Sequence, residues 1–377
     1  MRTARVAIVG GGLSGLYAAF LLEQRGVQDY VLIEARERFN GRIASLSAGG
    51  AATPGNLDRF DLGPTWYWPE LQPGFDQLVR ELGLQVFEQH EAGDMVVERS
   101  PGARPMRMRG YASSPSALRL DGGMETLTDA LRRKLDPARL VTGRHVRRLR
   151  CTGPHVELEA EDVHGIVSSW RVEHVLLAAP PRLCMATMAF APALPQALSR
   201  QWQDTATWMA PHAKYVAVYD TPFWRGQGLS GEARSMAGPL GEIHDASMPG
   251  GAAALFGFLG VPAQARMNIP EDVLRSHCRA QLARLFGPQA ATPRADALKD
   301  WALDPCTATA ADVDGAAHHA AAPDAAVASG PWAGRLTGIA SEWSPSFPGY
   351  LAGAVEAAQL GVVALLGTGS VISGEQS

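Results

Sequence analysis

Residues 5–9 are a short β-branched apolar run, GGGLSG follows at 10–15, and LSGLYAAFLLEQRG carries a helix-like pattern that stops at Gly26. A second apolar run, residues 30–33, ends at Glu34. Two such strands flanking a helix predict a parallel β-α-β unit, because parallel neighbours need a crossover. Gly10, Gly12 and Gly15 fit G-x-G-x-x-G between strand and helix. The first glycine serves the tight turn, the second a close backbone approach to a pyrophosphate, the third contact between helix and strand. The helix N-terminus offers unpaired N–H groups to phosphate. Glu34 stands 24 residues after Gly10. A carboxylate there can accept both hydroxyls of an adenosine ribose and argues against a 2′-phosphate. On these residues the dinucleotide is NAD or FAD.

The chain has 377 residues, 46% hydrophobic and 19% charged, enough interior for two or three domains. A formal net charge of -4 gives no overall basic surface and argues against nucleic acid as a partner. Cys151, Cys184, Cys278 and Cys306 form no close pair, so neither a zinc knuckle nor a redox dithiol is predicted. No metal site emerges elsewhere. The cysteine usage, and a first strand with no signal-peptide pattern before it, predict a cytoplasmic protein. The run VVALL near the C-terminus is too short to span a bilayer.

Residues 41–64 are Gly- and Ala-rich and read as winding, and 69–83 support a helix after the prolines. GGMETLTDALRRKL at 122–135 reads as another helix. HVRRLRC and HVELEAE read as alternating strands, and VEHVLLAAPP as a buried strand stopped by two prolines. From 183 to about 300 the composition changes, and KYVAVYD and AALFGFLGV look like strands of a second, mixed sheet. The helical stretch EDVLRSHCRAQLARLFG would bury Val273, Leu274, Cys278, Leu282 and Leu285. Residues 308–330 lack periodicity and read as a loop containing His318 and His319.

The stretch PHAKYVAVYD places Lys214, one of only three lysines, at the entry of an apolar run. An ammonium is costly to bury unless it is paired or given water. The plain reading is a lysine snorkelling at a strand edge. His212 and His244 sit in loop-like contexts with no metal-ligand spacing, where each could contact substrate or carry a proton.

Several stretches together resemble the flavin monoamine oxidase family, especially its small bacterial members. EARERFNGRI at 34–43 is similar to the family's E-x-x-x-R-x-G-G-R, with Arg38 and Arg42 as the arginines and Asn40 in place of the first glycine. Asn tolerates left-handed backbone far better than most residues. DLGPTWYWP at 61–69 and RLDGGM at 119–124 resemble further signatures. Lys214 stands eight residues before the Pro of PFWR, the offset at which the family places a lysine. LTGIASEWSPSFPGYLAGAVEAA at 336–358 looks like the closing signature.

The resemblance implies an α/β fold: a Rossmann-like FAD-binding domain with a mixed α+β substrate domain. The FAD-binding domain would comprise 1–69, 119–182 and 301–365, and the substrate domain 183–300. A short helical excursion would fill 70–118, and 366–377 would be a flexible tail. The implied cofactor is FAD. Its binding residues would be Gly10, Gly12, Gly15, Glu34, Arg36, Arg42, Gly63, Pro64, Thr65, Trp66, Val146, Glu342, Gly349, Tyr350 and Leu351. Arg42 would reach the phosphates, Glu342 the phosphates or ribitol, and Val146 the adenine. Gly349 and Gly353 would let the final helix approach the cofactor. Lys214 would hold a water against flavin N5 with its head in a wet cavity. Tyr350, Trp66 and Trp343 would stand with it at the reacting centre.

This sequence also departs from the family. Covalent members carry a cysteine shortly before the final tyrosine, and SEWSPSFPGY has none, so noncovalent FAD is expected. Trp343 replaces a threonine and predicts crowding beside the flavin. The second aromatic of the substrate cage falls near Ala311, leaving Trp66, Trp68 or Trp208 to fill it. The shorter excursion omits the usual membrane-attachment element. The favoured reading is oxidation of a small amine to an imine, with electrons passing to oxygen and giving hydrogen peroxide. The alternatives are a flavin desaturase or C–C oxidase, and a degenerate flavin-binding protein.

Overall fold

A computed structural model of the chain describes residues 1–48, 58–314 and 320–369. Five parallel strands form its first sheet, in the order Leu140–Val141, Tyr30–Ile33, Val6–Val9, His174–Leu177, Leu336–Gly338. Sheets of this kind are covered on both faces, which explains why their strands read as unbroken apolar runs. Val6 and Ile8 turn to one face, where they meet the helices Leu13–Gln24, Glu125–Arg132 and Leu351–Gly369. Ala7 and Val9 turn to the other, against a second sheet built on the strands His145–Thr152, His155–Glu161 and Val167–Val172.

The substrate domain is a seven-stranded sheet in the order Ala295–Asp300, Ala213–Tyr219, Ala253–Leu259, Leu240–Asp245, Leu229–Ser235, Asp94–Glu98, Met106–Arg109. The helix Glu271–Phe286 covers one face through Cys278, Leu282, Leu285 and Phe286. Val273, expected on that buried side, is exposed. The opposite face carries Val216, Val218, Ala254 and Phe256, with Trp66 and Phe258 packed beside them.

Several boundaries differ from the sequence reading. The 70–118 region holds one helix, Pro73–Glu81, followed by three strands and the first residue of a fourth, and two of the three extend the substrate sheet. Its apolar residues alternate in short runs between turns, a pattern easily lost beside one strong amphipathic helix. Within 41–64, Ser45–Ser47 pairs antiparallel with Arg59–Asp61. Within 308–330, Ala310–Asp314 is a short helix and Ala326 bridges to Thr337. His318 and His319 lie outside the described residues. The last helix runs on to Gly369, past the expected start of the tail, and 370–377 lie outside the described residues.

Candidate active site

The glycine turn shows which of its members the chain itself requires. Gly10 has φ of +113°, a region that favours glycine. A Cβ on Gly15 would stand 1.9 Å from the Gly10 carbonyl oxygen, so helix and strand could not meet as they do. Gly12 differs, because a Cβ there would meet nothing closer than the Gly41 Cα at 3.6 Å. It lines a cavity, so the space it preserves is space for a ligand. Asn40 holds φ of 91°, the one non-glycine residue with positive φ among the described residues.

Glu34 is buried at the end of its strand and faces the same cavity. Its Oε2 accepts from the Gly11 N–H at 2.6 Å and its Oε1 from the Arg36 N–H at 2.9 Å, which fixes the carboxylate. Arg36 also lines the cavity and reaches across the chain, donating to Asp304 Oδ1 at 2.5 Å and Thr307 Oγ1 at 3.1 Å. Burial raises the pKa of Asp304, but Arg36 and Lys299 outweigh it and hold the carboxyl below its ordinary value. Val146 lines the cavity near this end. Arg42 lines it too, and its guanidinium is clamped by Glu342 and by Ser341 Oγ at 3.2 Å. Glu342 is itself buried behind Arg42 and is absent from the wall of the main cavity, so its contact is with the arginine.

The cavity, about 840 Å³, continues from this corner to an aromatic end. That volume is within the range of sites for cofactor-sized ligands. Trp66, Trp68, Trp208, His212, Phe258 and Tyr350 line the aromatic end. The run TWYW alternates: Trp66 and Trp68 face the cavity, and Tyr67 turns into the core against Phe75 at 4.9 Å. Trp66 Nε1 donates to Gln89 at 2.8 Å, and its ring meets His244 edge-on at 4.8 Å. His244 is paired in turn with Glu242 at 2.6 Å, and Glu242 lines the cavity. The ring of His212 meets Trp208 at 4.5 Å. Ala311 does not line the cavity, and Trp208 stands in its wall instead. Gly15 is absent from the wall, and of the remaining expected set Gly63, Pro64, Thr65, Gly349 and Leu351 stand on it. Gly353 does not: a Cβ there would lie 2.0 Å from the Phe347 carbonyl oxygen, so its role is to seat the preceding turn.

Trp343 and Lys214, both expected at the reacting centre, sit elsewhere. Trp343 is buried in the nucleotide domain core, edge-on to Trp202 at 5.1 Å. A Cβ on Gly338 would fall 2.2 Å from its ring, so Gly338 makes the room that a bulky residue at 343 needs. The predicted crowding is thereby relieved away from the cavity. Lys214 is also not on the wall. It is 2% exposed, and its Nζ donates to the Gly63 carbonyl at 3.1 Å and to Thr65 Oγ1, with the Phe256 ring 3.8 Å away. Its ammonium lies behind the backbone it supports. Burial lowers its pKa to about 7, opposed by Asp61 and reinforced by Arg119.

Sequence reasoning missed Asp304, Asp61, Arg119 and Glu242. Asp61 and Arg119 lay inside quoted signatures, and their acid and base in otherwise apolar surroundings were the available signal. Asp304 had none, because its partner is 268 residues away. Among the described residues no group of three His, Cys, Asp or Glu side chains could hold a metal ion. No helix among them is long and apolar enough to cross a membrane.

The glycine corner, the fixed Glu34 carboxylate and the cavity running on to an aromatic wall fit FAD, and they define a flavin-dependent oxidoreductase. The chain belongs to the flavin-containing amine oxidoreductases: that family's profile matches residues 107–366. The profile of an NAD(P)-binding Rossmann-like domain matches residues 8–82. A probable flavin-containing monoamine oxidase A of Dictyostelium discoideum is 24% identical over 78% of this chain and 83% of its own length. A putrescine oxidase of Kocuria rosea is 27% identical over 68% of this chain, which spans only 55% of that protein. The solved cyclohexylamine oxidase from Brevibacterium oxydans shares the fold, with a TM-score of 0.78 at 19% identity, over 97% of this chain and 99% of that one.

Proposed function

We propose that this chain holds FAD without a covalent bond and oxidises a C–N bond of a small amine to an imine. Bound FAD supplies a hydride acceptor and passes the electrons to oxygen, giving hydrogen peroxide. The observation that carries the reading is the single cavity joining the Glu34 corner to the wall of Trp66, Trp208 and Tyr350. Glu34 accepts the ribose hydroxyls, and the amides of the glycine turn face the pyrophosphate. Arg42, already neutralised by Glu342 on one side, offers its remaining N–H groups to phosphate. The aromatic wall excludes water and gives a neutral amine a flat, electron-rich surface. Lys214 stiffens the Gly63–Thr65 stretch and places a positive charge behind it, on which reduction of oxygen draws as negative charge builds.

Noncovalent attachment is supported by the cysteines. Cys306 lines the cavity at the Arg36 end, away from Tyr350, and burial raises its thiol pKa. Cys184 is fully buried and pushed to about 12. Thiols held neutral in this way are poor nucleophiles. Acid precipitation should release the yellow cofactor into the supernatant. Without oxygen, some primary, secondary or tertiary amine should bleach the flavin. If every amine leaves it oxidised while an unsaturated carbon substrate reduces it, the C–C reading replaces this one.

A further inference from the structure

At the nucleotide end of the cavity, three wall arginines are each held by a carboxylate that is not itself on the wall. Arg42 is held by Glu342, Arg144 by Asp162 at 2.8 Å and Arg36 by Asp304 at 2.5 Å. Arg36 also has a second carboxylate within reach. Its Nη1 lies 3.7 Å from Glu34 Oε1, close enough for attraction but too far for a hydrogen bond. Glu34 accepts one backbone N–H at each oxygen, from Gly11 and from Arg36 itself. A carboxylate offers about four acceptor sites, so about two remain, as many as the hydroxyls of an adenosine ribose.

Asp304 is itself firmly fixed. It is 7% exposed, and Thr307 beside it is fully buried. Asp304 Oδ1 accepts from Arg36 Nη2 and from the Cys306 N–H at 3.0 Å, and Oδ2 accepts from Lys299 Nζ at 2.9 Å. Thr307 Oγ1 accepts from the same Arg36 nitrogen at 3.1 Å. Trp301 opens this turn from the interior: its indole N–H donates to the Leu62 carbonyl at 3.1 Å, and its ring lies 4.5 Å from Lys299 Nζ. The anchor of Arg36 is thus tied to the substrate sheet through Lys299 and to the stretch leading into Gly63 through Trp301. Neither Asp304 nor Thr307 lines the cavity, so each can act on a ligand there only through Arg36.

We propose, on the adenosine role given above to this corner, that Asp304 is a positioning residue which, with Thr307, holds the Arg36 guanidinium off Glu34 and keeps that carboxylate open to the ribose hydroxyls. Without Asp304, a guanidinium two residues from Glu34 would close the 3.7 Å gap, because a paired arginine and carboxylate make charge-assisted hydrogen bonds stronger than neutral ones. The acceptor sites that the ribose needs would then be filled from within the chain. A local E-x-R motif at the end of a strand is in this way completed by a turn 268 residues away.

The decisive quantity is a ratio of two affinities, in which general damage to the site cancels. Full-length chain freed of flavin is titrated with FAD in competition with ADP or with 2′-deoxy-ADP. The wild type should prefer ADP by about 10-fold, the scale of one hydrogen bond to a charged group. Asp304→Asn should remove most of that preference. Asp304→Asn combined with Arg36→Met should restore it, because no guanidinium is left to occupy Glu34. A preference that persists in Asp304→Asn, or that the double variant fails to regain, overturns the proposal. If Asp304→Asn does not fold, Thr307→Val decides: a narrowed preference that Arg36→Met restores supports the proposal, and an unmoved one overturns it. A wild-type chain that binds ADP and 2′-deoxy-ADP alike would overturn the adenosine role of the corner, and the proposal with it.

Discussion

The Glu34 corner and the Lys214 wall border one cavity, yet opposite means hold them in place. At the corner, a short local motif sets one carboxylate on the cavity and fixes it with two backbone amides. At the wall, a charged side chain is sealed behind the surface by the Gly63–Thr65 stretch and the Phe256 ring, both far from it in the chain. The first arrangement binds by what it exposes. The second works by what it hides, since a charge in a dry interior acts on its neighbours more strongly than one in water.

The difference can be broken most severely at the corner. Gly15→Ala forces a Cβ against the Gly10 carbonyl, backbone against backbone, where nothing flexible can yield. We expect the purified variant to carry no flavin, read as the ratio of visible to protein absorbance. Normal flavin content would show that the turn has slack the structure denies it.

Lys214→Met comes next and should act on a different half of the reaction. Recovery of the oxidised colour under oxygen should slow by about 100-fold, the scale of losing one preorganised charge beside developing negative charge. Reduction by amine should change less. Stability gives a second readout. The folded-state pKa of Lys214 is lowered to about 7 from an ordinary 10.5. Between those values the unfolded chain binds the extra proton, so the wild type should gain stability relative to Lys214→Met as pH rises through that window. A flat difference across it would mean that Lys214 is not buried as a titrating group.

Glu34→Ala should weaken FAD binding by about 2–3 kcal/mol, the range for hydrogen bonds to a charged group. It also frees the Gly11 and Arg36 amides, so titration of the apoprotein should show a loss for ADP as well as for FAD. The smallest effect on chemistry belongs to Trp343→Phe. Its indole N–H has no protein partner and its ring packs only in the core. We expect a stability loss of about 1–3 kcal/mol from the smaller ring, with amine turnover per bound flavin unchanged.

The corner was legible in the sequence because its geometry is local. A glycine fingerprint, a strand and an acid at a fixed distance specify most of it. The position of the wall was legible from the PFWR offset, but its burial was not. The family resemblance points Lys214 into the cavity, and what turns it away is the Thr65 hydroxyl and Gly63 carbonyl, about 150 residues distant in the chain. Trp343 was misplaced for a similar reason: the space that receives it comes from Gly338 and Trp202, on separate elements. The one amphipathic helix dominates the sequence of the 70–118 region, although two of its strands complete a sheet formed mostly by later residues.

The account rests on the two regions being ends of one dinucleotide site, and a competition titration of the apoprotein addresses that directly. If Glu34 and the glycine turn hold the adenosine half while the aromatic end takes the flavin ring, FAD should bind far more tightly than FMN or riboflavin. ADP should compete with FAD, and Glu34→Ala should erase most of the preference for FAD over FMN. Equal binding of FMN and FAD, unaffected by ADP, would contradict the account.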